Sequence, residues 1–236
     1  MSKFLHLLFA GALLAGALPA QAATSYQSER DWLLSLQFGS FKPEIDKEPG
    51  LVGTPFLDVF GPKPRLLSRI SIERFVFKDF GTLGGGLDAG FAEFFGDAFV
   101  QGSDTPSPDT VSMRMVPITV FADYRFDWAA QNWKFPFVPY AKAGIGGWLF
   151  WINDAHGETA GDGAAKGVRW GWTWSAGLQL MLDVFDPRLS REFDREFGVN
   201  GTYLYVDYTQ QHVTSFGRKG LDFSAATWSG GIAFEF

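Results

Sequence analysis

The last ten residues of the sequence, Thr227–Phe236, read TWSGGIAFEF and decide the fold. Trp228 and every second residue after it are apolar or glycine, whereas the residues between them are small or polar. Side chains alternate between the two faces of a β-strand, so this pattern predicts a strand with one apolar face. Such a strand needs apolar surroundings on one side only.

Seven upstream segments show the same alternation. The clearest is Arg169–Val184, in which three tryptophans begin an unbroken row of apolar side chains on one face. Each segment reaches the roughly 9–11 residues that a tilted strand needs to cross a bilayer. The other six predicted strands are Asp31–Phe41, Arg65–Phe77, Thr82–Phe95, Val111–Phe126, Phe137–Ile152 and Thr202–His212.

The connections between these strands alternate between long and short. Four long loops are predicted at 42–64, 96–110, 153–168 and 213–224, the first with five prolines and the second rich in serine, aspartate, proline and glycine. This arrangement predicts an all-β fold, an eight-stranded antiparallel transmembrane β-barrel with long outer loops and both termini in the periplasm. A soluble β-sandwich is the alternative, but it has no reason to keep charges and glycines on one parity in strand after strand.

One inner connection, Phe185–Gly198, predicts a short periplasmic helix. Asp186 can cap its start, and Pro187 suits the first helical position. An apolar stripe recurs every four residues, at Leu189, Phe193 and Phe197. We expect the helix to plug or cap the periplasmic mouth of the barrel, and a contact element in the periplasm is the alternative.

Aromatic residues fall near both ends of the predicted strands, as in the aromatic girdles of membrane barrels. The predicted outer girdle contains Trp148, Trp151, Trp170, Trp172 and Trp228. The predicted inner girdle contains Phe77, Phe126, Trp128, Trp133, Phe135 and Phe185.

The beginning of the sequence predicts an exported protein. Residues 1–22 have the pattern of a signal peptide, with Lys3, the apolar run Phe4–Leu18 and an Ala-Gln-Ala cleavage site. Residues 23–236 then form the barrel domain. Without Lys3 the mature chain has 19 basic and 26 acidic residues, a net charge of −7, which argues against a nucleic-acid partner. The sequence has no cysteine, so it contains no disulfide framework and no thiolate site.

Both signs of charge are expected inside the barrel. Because an eight-stranded barrel is just wide enough for its own side chains, mutual pairing of these charges is the expected arrangement. The predicted lumen charge network consists of Arg69, Glu73, Asp88, Arg114, Asp123, Arg125, Lys142, Asp183 and Asp207. Inward glycines leave room for a narrow cavity beside Trp148 and Tyr140, and Lys142 lies near the middle of its strand.

Catalytic and metal sites have weaker patterns. Outer-membrane lipid A deacylases use His, Ser and Glu on the outer wall of a barrel, and His212 with Thr214 is an imperfect match to that pattern. Acidic groups in the first and third loops could offer oxygen ligands to calcium, but without an EF-hand spacing. We therefore expect no catalytic residue, no metal site and no cofactor. The candidate ligands are Glu44, Asp46, Glu48 and Asp58 in the first loop, then Asp154, His156, Glu158 and Asp162 in the third.

Several short motifs carry a family resemblance that covers nearly the whole mature chain. They are Phe38–Asp46 (FGSFKPEID), Thr54–Phe56 (TPF), Tyr124–Asp127 (YRFD), Val138–Tyr140 (VPY), Asp183–Pro187 (DVFDP) and Phe197–Asn200 (FGVN). Together they resemble a family of small outer-membrane β-barrels catalogued mainly from myxobacteria and their relatives, similar to eight-stranded OmpA- and OmpW-like barrels. The resemblance implies fold and location, and it carries over no catalytic residue.

The same resemblance gives the last strand a role. In bacterial outer-membrane barrels a closing strand that ends in phenylalanine is the signal read by the insertion machinery. The corresponding side chains here are Trp228, Ile232, Phe234 and Phe236. The expected partners are therefore the barrel assembly machinery, outer-membrane lipids and lipopolysaccharide.

Three functions follow as hypotheses. The first is a non-enzymatic outer-membrane barrel with a structural or binding role through its lumen and extracellular loops. The second is a narrow pore or carrier for small solutes, including apolar ones. The third is an enzyme that modifies lipid A.

Overall fold

Eight antiparallel strands close into a barrel in the computed structural model, which describes residues 30–99, 106–133, 135–153 and 165–236. Each strand pairs with the next one in sequence, and β8 pairs with β1. The predicted fold class is confirmed, whereas the predicted signal peptide lies outside the described residues. The strands are β1 (Trp32–Phe41), β2 (Arg65–Phe77), β3 (Thr82–Phe99), β4 (Pro106–Arg125), β5 (Phe137–Asn153), β6 (Lys166–Met181), β7 (Gly201–His212) and β8 (Ala225–Glu235).

The outward face of the barrel is apolar and the inward face carries the polar groups. Val120 and Ile145 are 61% and 64% exposed on the outside, whereas Thr119, next to Val120 in the chain, is buried inside. Apolar side chains that project outward from every strand are unfavourable in water and favourable in lipid. The alternation predicted from the sequence therefore sorts the side chains between lipid and lumen.

The ends of three strands, β3, β4 and β6, differ clearly from the prediction. Residues 96–110 were expected to form a loop, but β3 and β4 continue as one hairpin in which Gly96 pairs with Val111 and Phe99 pairs with Pro106. A hairpin that extends beyond the membrane can carry polar residues on both faces, which removes the alternation that marked the other strands. β6 is shifted towards the N-terminus, and a 3-10 turn, Leu182–Val184, follows it.

Three short α-helices lie in the described parts of the connections: α1 (Pro55–Phe60), α2 (Trp128–Trp133) and α3 (Pro187–Phe197). None of the helices in the described part of the chain has the length and apolar content needed to cross a bilayer. The start of α3 is as predicted, since the Arg188 N–H donates to Asp186 Oδ1. Gly198 follows the helix with a φ of 70°, in the left-handed region that favours glycine.

The predicted role of α3 as a cap is wrong. Phe193 and Phe197 of its stripe are exposed, and the mouth of the barrel on that side is filled by other side chains. These side chains form a buried apolar cluster, the terminal cluster, at the end of the barrel where the N-terminal end of β1 meets the C-terminal end of β8. The terminal cluster is Leu33, Phe75, Ala130, Val138, Met181, Tyr203 and Ala233.

A second apolar cluster fills the opposite end of the barrel, which we call the loop end because the 42–64 connection lies there. It combines inward side chains of the strands with side chains that the 42–64 connection brings into the barrel. Its aromatic members, the loop-end plug, are Phe41, Phe56, Phe60, Phe94, Trp148, Phe150 and Phe223.

The aromatic residues on the outside agree with the predicted girdles except at one position. Trp170 and Trp228 are exposed on the outside near the loop end, and Trp133 and Phe185 are exposed near the terminal end. Trp148 was placed in the outer girdle, but it is 1% exposed and belongs to the loop-end plug, because its parity on β5 points inward.

Candidate functional site

Asp207, on β7, accepts the largest set of hydrogen bonds in the middle of the lumen. Gln37 Nε2 donates to both carboxylate oxygens, at 3.0 and 2.8 Å, and the Tyr140 hydroxyl donates at 2.7 Å. Ser229 Oγ adds a third partner on β8. These bonds join β1, β5 and β8 to β7 and stabilise a charge that is buried without a cation in direct contact.

A second polar group connects the other side of the lumen. Arg69 Nη1 lies 3.2 Å from Asp88 Oδ1 on the neighbouring strand β3. Its other terminal nitrogen donates to Gln211 Oε1 at 2.9 Å, across the barrel on β7. One guanidinium therefore serves two acceptors, as its forked geometry permits.

Lys142 is the cation of a third group. Its ammonium lies 3.4 Å from Glu73 Oε2 and 4.8 Å from the centre of the Phe121 ring. Asp123 is fully buried and lies opposite Lys142 in the register of β4 and β5. One carboxylate, that of Glu73, therefore pairs with the ammonium, and the Phe121 ring lies beside the cation.

The fourth group lies next to the terminal cluster and joins the first and last parts of the barrel. Both terminal nitrogens of Arg125 lie 3.2 Å from Glu235 Oε2, and the Tyr203 hydroxyl donates to the same oxygen at 2.9 Å. The guanidinium also lies over the rings of Phe75 and Tyr203. Arg30 approaches the other oxygen of Glu235 at 3.7 Å.

Two of the predicted lumen residues lie elsewhere. Arg114 is on the outside of the barrel, where its Nε donates to Glu93 Oε1 at 2.6 Å. It shares the parity of the apolar residues of β4, so the rule that sorted its neighbours should have placed it outside. Asp183 lies in the 3-10 turn after β6, where Oδ2 accepts from the Thr202 N–H at 2.9 Å.

The polar groups surround a small cavity of about 50 Å³ in the middle of the lumen. Tyr140 lines it, as predicted, together with Arg69, Asp88, Lys142 and Asp207. A cavity of this volume holds about three water molecules. Trp148 does not line this cavity, since it lies in the loop-end plug.

The loop-end plug depends on α1. The Asp46 carboxylate accepts from the N–H groups of Phe56 and Leu57, at 2.8 and 3.0 Å, and so holds the start of α1. The ring of Phe56 packs edge-on against Phe94 at 5.3 Å between centroids. Gly96 lets the two backbones meet, because a Cβ at this position would lie 2.0 Å from the carbonyl oxygen of Val59.

The connection between β7 and β8 is folded around Arg169. Its terminal nitrogens donate to the carbonyl oxygens of Thr214, Arg218 and Lys219, at 2.8–3.1 Å. The turn contains two non-glycine residues with positive φ, Ser215 and Phe216, at 51° and 58°. This is a strained conformation for residues with side chains, and the hydrogen bonds from Arg169 help to maintain it.

The connections at the loop end also bind one another. The Gly220 N–H donates to Glu48 Oε1 at 3.1 Å, and the Glu44 N–H donates to the carbonyl oxygen of Ser224 at 2.9 Å. Two loops far apart in sequence therefore form one surface.

The acidic groups of the first loop have partners within the protein. Glu44 pairs with Lys47 at 2.6 Å, Asp46 caps α1, and Asp58 accepts from Thr54. Among the described residues there is no cluster of three or more histidine, cysteine or acidic side chains that could hold a metal ion. The acidic residues and the histidine predicted in the third loop, at 154–162, lie outside the described residues.

His212 and Thr214, the imperfect match to a catalytic pattern on the outer wall, make other contacts. The imidazole of His212 stacks on Trp172, with 4.2 Å between ring centroids. Thr214 Oγ1 accepts from the Gly217 N–H and so shapes the turn.

Sequence reasoning missed three residues of the site. Glu235 is the anion of the most buried ion pair, and it could have been found by carrying the inward parity to the end of the last strand. Gln37 could have been found in the same way on β1. Arg169 lies at the inward parity of β6, but only the folded loop shows its three acceptors.

The predicted assembly residues lie on the outward face of β8. Trp228 is exposed, and Ile232 and Phe234 are half-buried between neighbouring strands. The Phe236 N–H donates to the carbonyl oxygen of Trp32, which extends the pairing of β8 with β1 to the last residue of the sequence. Their role in assembly stays a prediction.

Several solved structures are similar to this chain in fold. Neisserial surface protein A is 11% identical, with 87% of this chain and 96% of that chain covered and a TM-score of 0.47. OprG from Pseudomonas aeruginosa is 14% identical, with 88% and 96% covered and a TM-score of 0.46. Ail from Yersinia pestis, crystallised with the heparin analogue sucrose octasulfate, is 14% identical, with 87% and 99% covered and a TM-score of 0.41.

No curated protein sequence gives a significant match. The profile of the family described as the outer membrane protein beta-barrel domain matches residues 10–236. The closed eight-stranded barrel agrees with that description. Since the match spans nearly the whole sequence, the chain belongs to the outer membrane protein β-barrel family, and its location is the outer membrane.

Proposed function

We propose that the protein is a closed outer-membrane barrel without enzymatic activity, and that it acts through the surface at its loop end. The observation that carries the proposal is the filled lumen. Apolar side chains occupy both ends, hydrogen-bonded and ion-paired polar side chains occupy the middle, and the cavity between them holds about three waters. A hydrated solute has no continuous path through such a barrel, which argues against the pore or carrier.

The proposed orientation places both termini in the periplasm. The 42–64 connection and the folded 213–224 connection then lie outside the cell, as long extracellular loops do in this class of barrel. Labelling with a membrane-impermeant maleimide tests this orientation in whole cells, since the chain has no cysteine of its own. Val52, which is 94% exposed, is the position for a Val52→Cys variant. We expect it to be labelled in intact cells, and labelling only after lysis would contradict the orientation.

The loop end has the character of a binding surface. Its two long connections are joined by hydrogen bonds, so the surface is ordered in advance. It exposes apolar side chains, Val52 and Phe216, beside the basic pair Arg218 and Lys219. Apolar and cationic groups together suit the amphipathic, anionic surface of lipopolysaccharide. Lipopolysaccharide is also a partner expected from the family resemblance of the sequence.

Planar-bilayer recording tests the closed barrel. We expect the refolded protein to insert without steady single-channel steps, because the plug and the charge network leave no path for ions. Steady steps of constant size would overturn the proposal and favour the pore.

Mass spectra of lipid A test the absence of enzymatic activity. We expect the same spectra from cells with and without the protein, because His212 stacks on a tryptophan and Thr214 shapes a turn. A protein-dependent loss of an acyl chain would overturn this part of the proposal.

A further inference from the structure

Helix α3 leaves an apolar stripe uncovered at the terminal end of the barrel. Phe193 is 37% exposed and Phe197 is 64% exposed, and their rings contact each other at 5.6 Å between centroids. Phe185, two residues before the helix, is 66% exposed. Several exposed aromatic groups at one site indicate a surface that contacts another molecule or a membrane.

The side of α3 that meets the rest of the protein is a different one. Ser190 and Asp194, one turn apart, are half-buried, whereas Arg188, Arg191, Glu192, Arg195 and Glu196 are exposed. Arg191 and Arg195 lie about 160° round the helix from Phe193, on the opposite side. The phenylalanines are therefore turned away from the arginines and also uncovered by the barrel.

The polar side of α3 is rich in arginine. Arg188, Arg191 and Arg195 are all exposed on that side, whereas the exposed acidic groups, Glu192 and Glu196, lie between the arginines and the phenylalanines, about 100° and 60° round the helix from Phe193. A short helix with phenylalanines on one side and arginines on the other has the pattern of helices that lie in the plane of a membrane surface.

In the sequence, the apolar stripe of α3 lies between two strands whose outward faces are apolar. The helix connects β6 to β7, and both strands carry exposed apolar residues on their outward faces, among them Leu178 and Leu204. Phe137, at the terminal end of β5, is also exposed and pairs with Leu180 of β6. The surface that already contacts lipid therefore ends where α3 begins.

We infer that α3 is an interfacial helix that lies on the phospholipid surface at the terminal end of the barrel. Its phenylalanines enter the boundary between headgroups and acyl chains, and its arginines reach the lipid phosphates. The inference rests on the proposed orientation only in the choice of leaflet. With both termini in the periplasm, α3 lies on the inner leaflet of the outer membrane. The helix anchors the rim of the barrel at a fixed depth.

Spin labels at single cysteines test the inference in the refolded full chain. Phe193→Cys is the test variant and Arg191→Cys is the matched control on the opposite side of the same helix. The two proteins are placed in vesicles of phosphatidylethanolamine and phosphatidylglycerol, and collision with oxygen is compared with collision with a water-soluble nickel chelate. We expect the oxygen-to-nickel accessibility ratio to be roughly threefold or more higher at 193 than at 191.

Equal ratios at the two positions would overturn the inference, because both labels would then lie in water. The vesicles contain no other protein, so an exposed label at 193 would mean that the stripe needs a protein partner instead. Trypsin cleavage at the arginines of α3 gives a second readout that needs no label. We expect Phe193→Ser with Phe197→Ser to be cut roughly tenfold faster in vesicles than the native protein. Equal rates of cleavage would contradict the inference.

Failure of the orientation gives a different result. Vesicles offer the same phospholipid on both surfaces, so a reversed barrel leaves the collision ratio unchanged. It changes only the labelling of Val52→Cys in cells. Folding of each variant is checked by the shift in electrophoretic mobility on heating that folded membrane barrels show.

Discussion

The two ends of the lumen are closed by different chemistry. At the terminal end the buried ion pair of Arg125 and Glu235 lies among aromatic rings, and these groups come from strands, whereas α2 adds only Ala130 to the terminal cluster. At the loop end the plug is apolar, and Phe56 comes from α1, a helix outside the strands. Closure by strands depends on parity and register alone, whereas closure by a loop depends on contacts that hold the loop in place. Four predictions test this difference.

The largest effect is expected at the terminal end. Glu235→Ala leaves the guanidinium of Arg125 buried without its anion, because the two side chains are 3% and 0% exposed. Removal of one partner of a buried ion pair costs about 3–5 kcal/mol. Urea unfolding of the refolded barrel in vesicles, followed by tryptophan fluorescence, measures the change in the free energy of unfolding.

The double variant Arg125→Met with Glu235→Met is the control for this prediction. Replacement of both charges by apolar groups is expected to recover most of the lost stability. A single variant as stable as the native protein would show that the pair does not stabilise the terminal end.

A smaller loss is expected from Phe94→Ala at the loop end. Phe94 is fully buried and its ring contacts Phe41, Phe56 and Phe60. The expected cost is about 3 kcal/mol, at the lower end of the range for buried aromatic residues, because the side chains of the loop can collapse into the space. Phe95→Ala, one residue along on the outward face, is the matched control in the same urea titration. Equal losses in the free energy of unfolding from both variants would show that Phe94 in the plug stabilises the barrel no more than the outward-facing Phe95 does.

A local effect is expected from Asp46→Ala. The carboxylate caps α1, and loss of a cap costs about 1 kcal/mol. We expect faster proteolysis of the 42–64 connection with little change in the global unfolding of the barrel. Asp58→Ala, which removes a carboxylate from the same helix without removing the cap, should leave proteolysis unchanged. Slower cleavage in Asp46→Ala than in the native protein would contradict the role of α1 in the plug.

The smallest effect concerns a pair at the surface of the terminal end. Lys78 donates to Asp31 Oδ1 at 2.6 Å, and this hydrogen bond holds the pKa of the Asp31 carboxyl below its ordinary value. A lowered pKa in the folded state gives stability that is present above the unfolded pKa and is lost as the pH falls through the folded pKa. The native protein should therefore exceed Asp31→Asn slightly in stability at neutral pH, and the two should converge in acid. A difference in stability between the two proteins that persists at low pH would show that it does not come from the ionised carboxylate of Asp31.

The same contrast explains what could be predicted from the sequence. Strand parity alone places Arg69, Glu73 and Asp123 in the lumen, because a residue in a barrel strand has two directions to point and lipid excludes one for a charge. The same parity places Arg114 outside the barrel and Glu235 in the lumen. The lumen position predicted for Arg114 and the omission of Glu235 from the predicted network therefore do not come from the parity itself.

Other features depend on contacts that no local pattern encodes. The insertion of Phe56 into the barrel needs the approach of Val59 to Gly96, residues on different elements. The fold of the 213–224 connection needs three carbonyl groups to converge on Arg169. The amphipathic pattern of α3 was visible in the sequence, but it does not tell whether a barrel mouth or a membrane covers the stripe.

The central claim is that the lumen is closed, and access of a small charged reagent to the lumen tests it most directly. Thr119 is 2% exposed and lines the central cavity, so a Thr119→Cys variant puts a single thiol there. In the folded protein in vesicles we expect no reaction of this thiol with a positively charged methanethiosulfonate, and full reaction after unfolding in urea. Rapid reaction in the folded barrel would show an open path from water and would contradict the account.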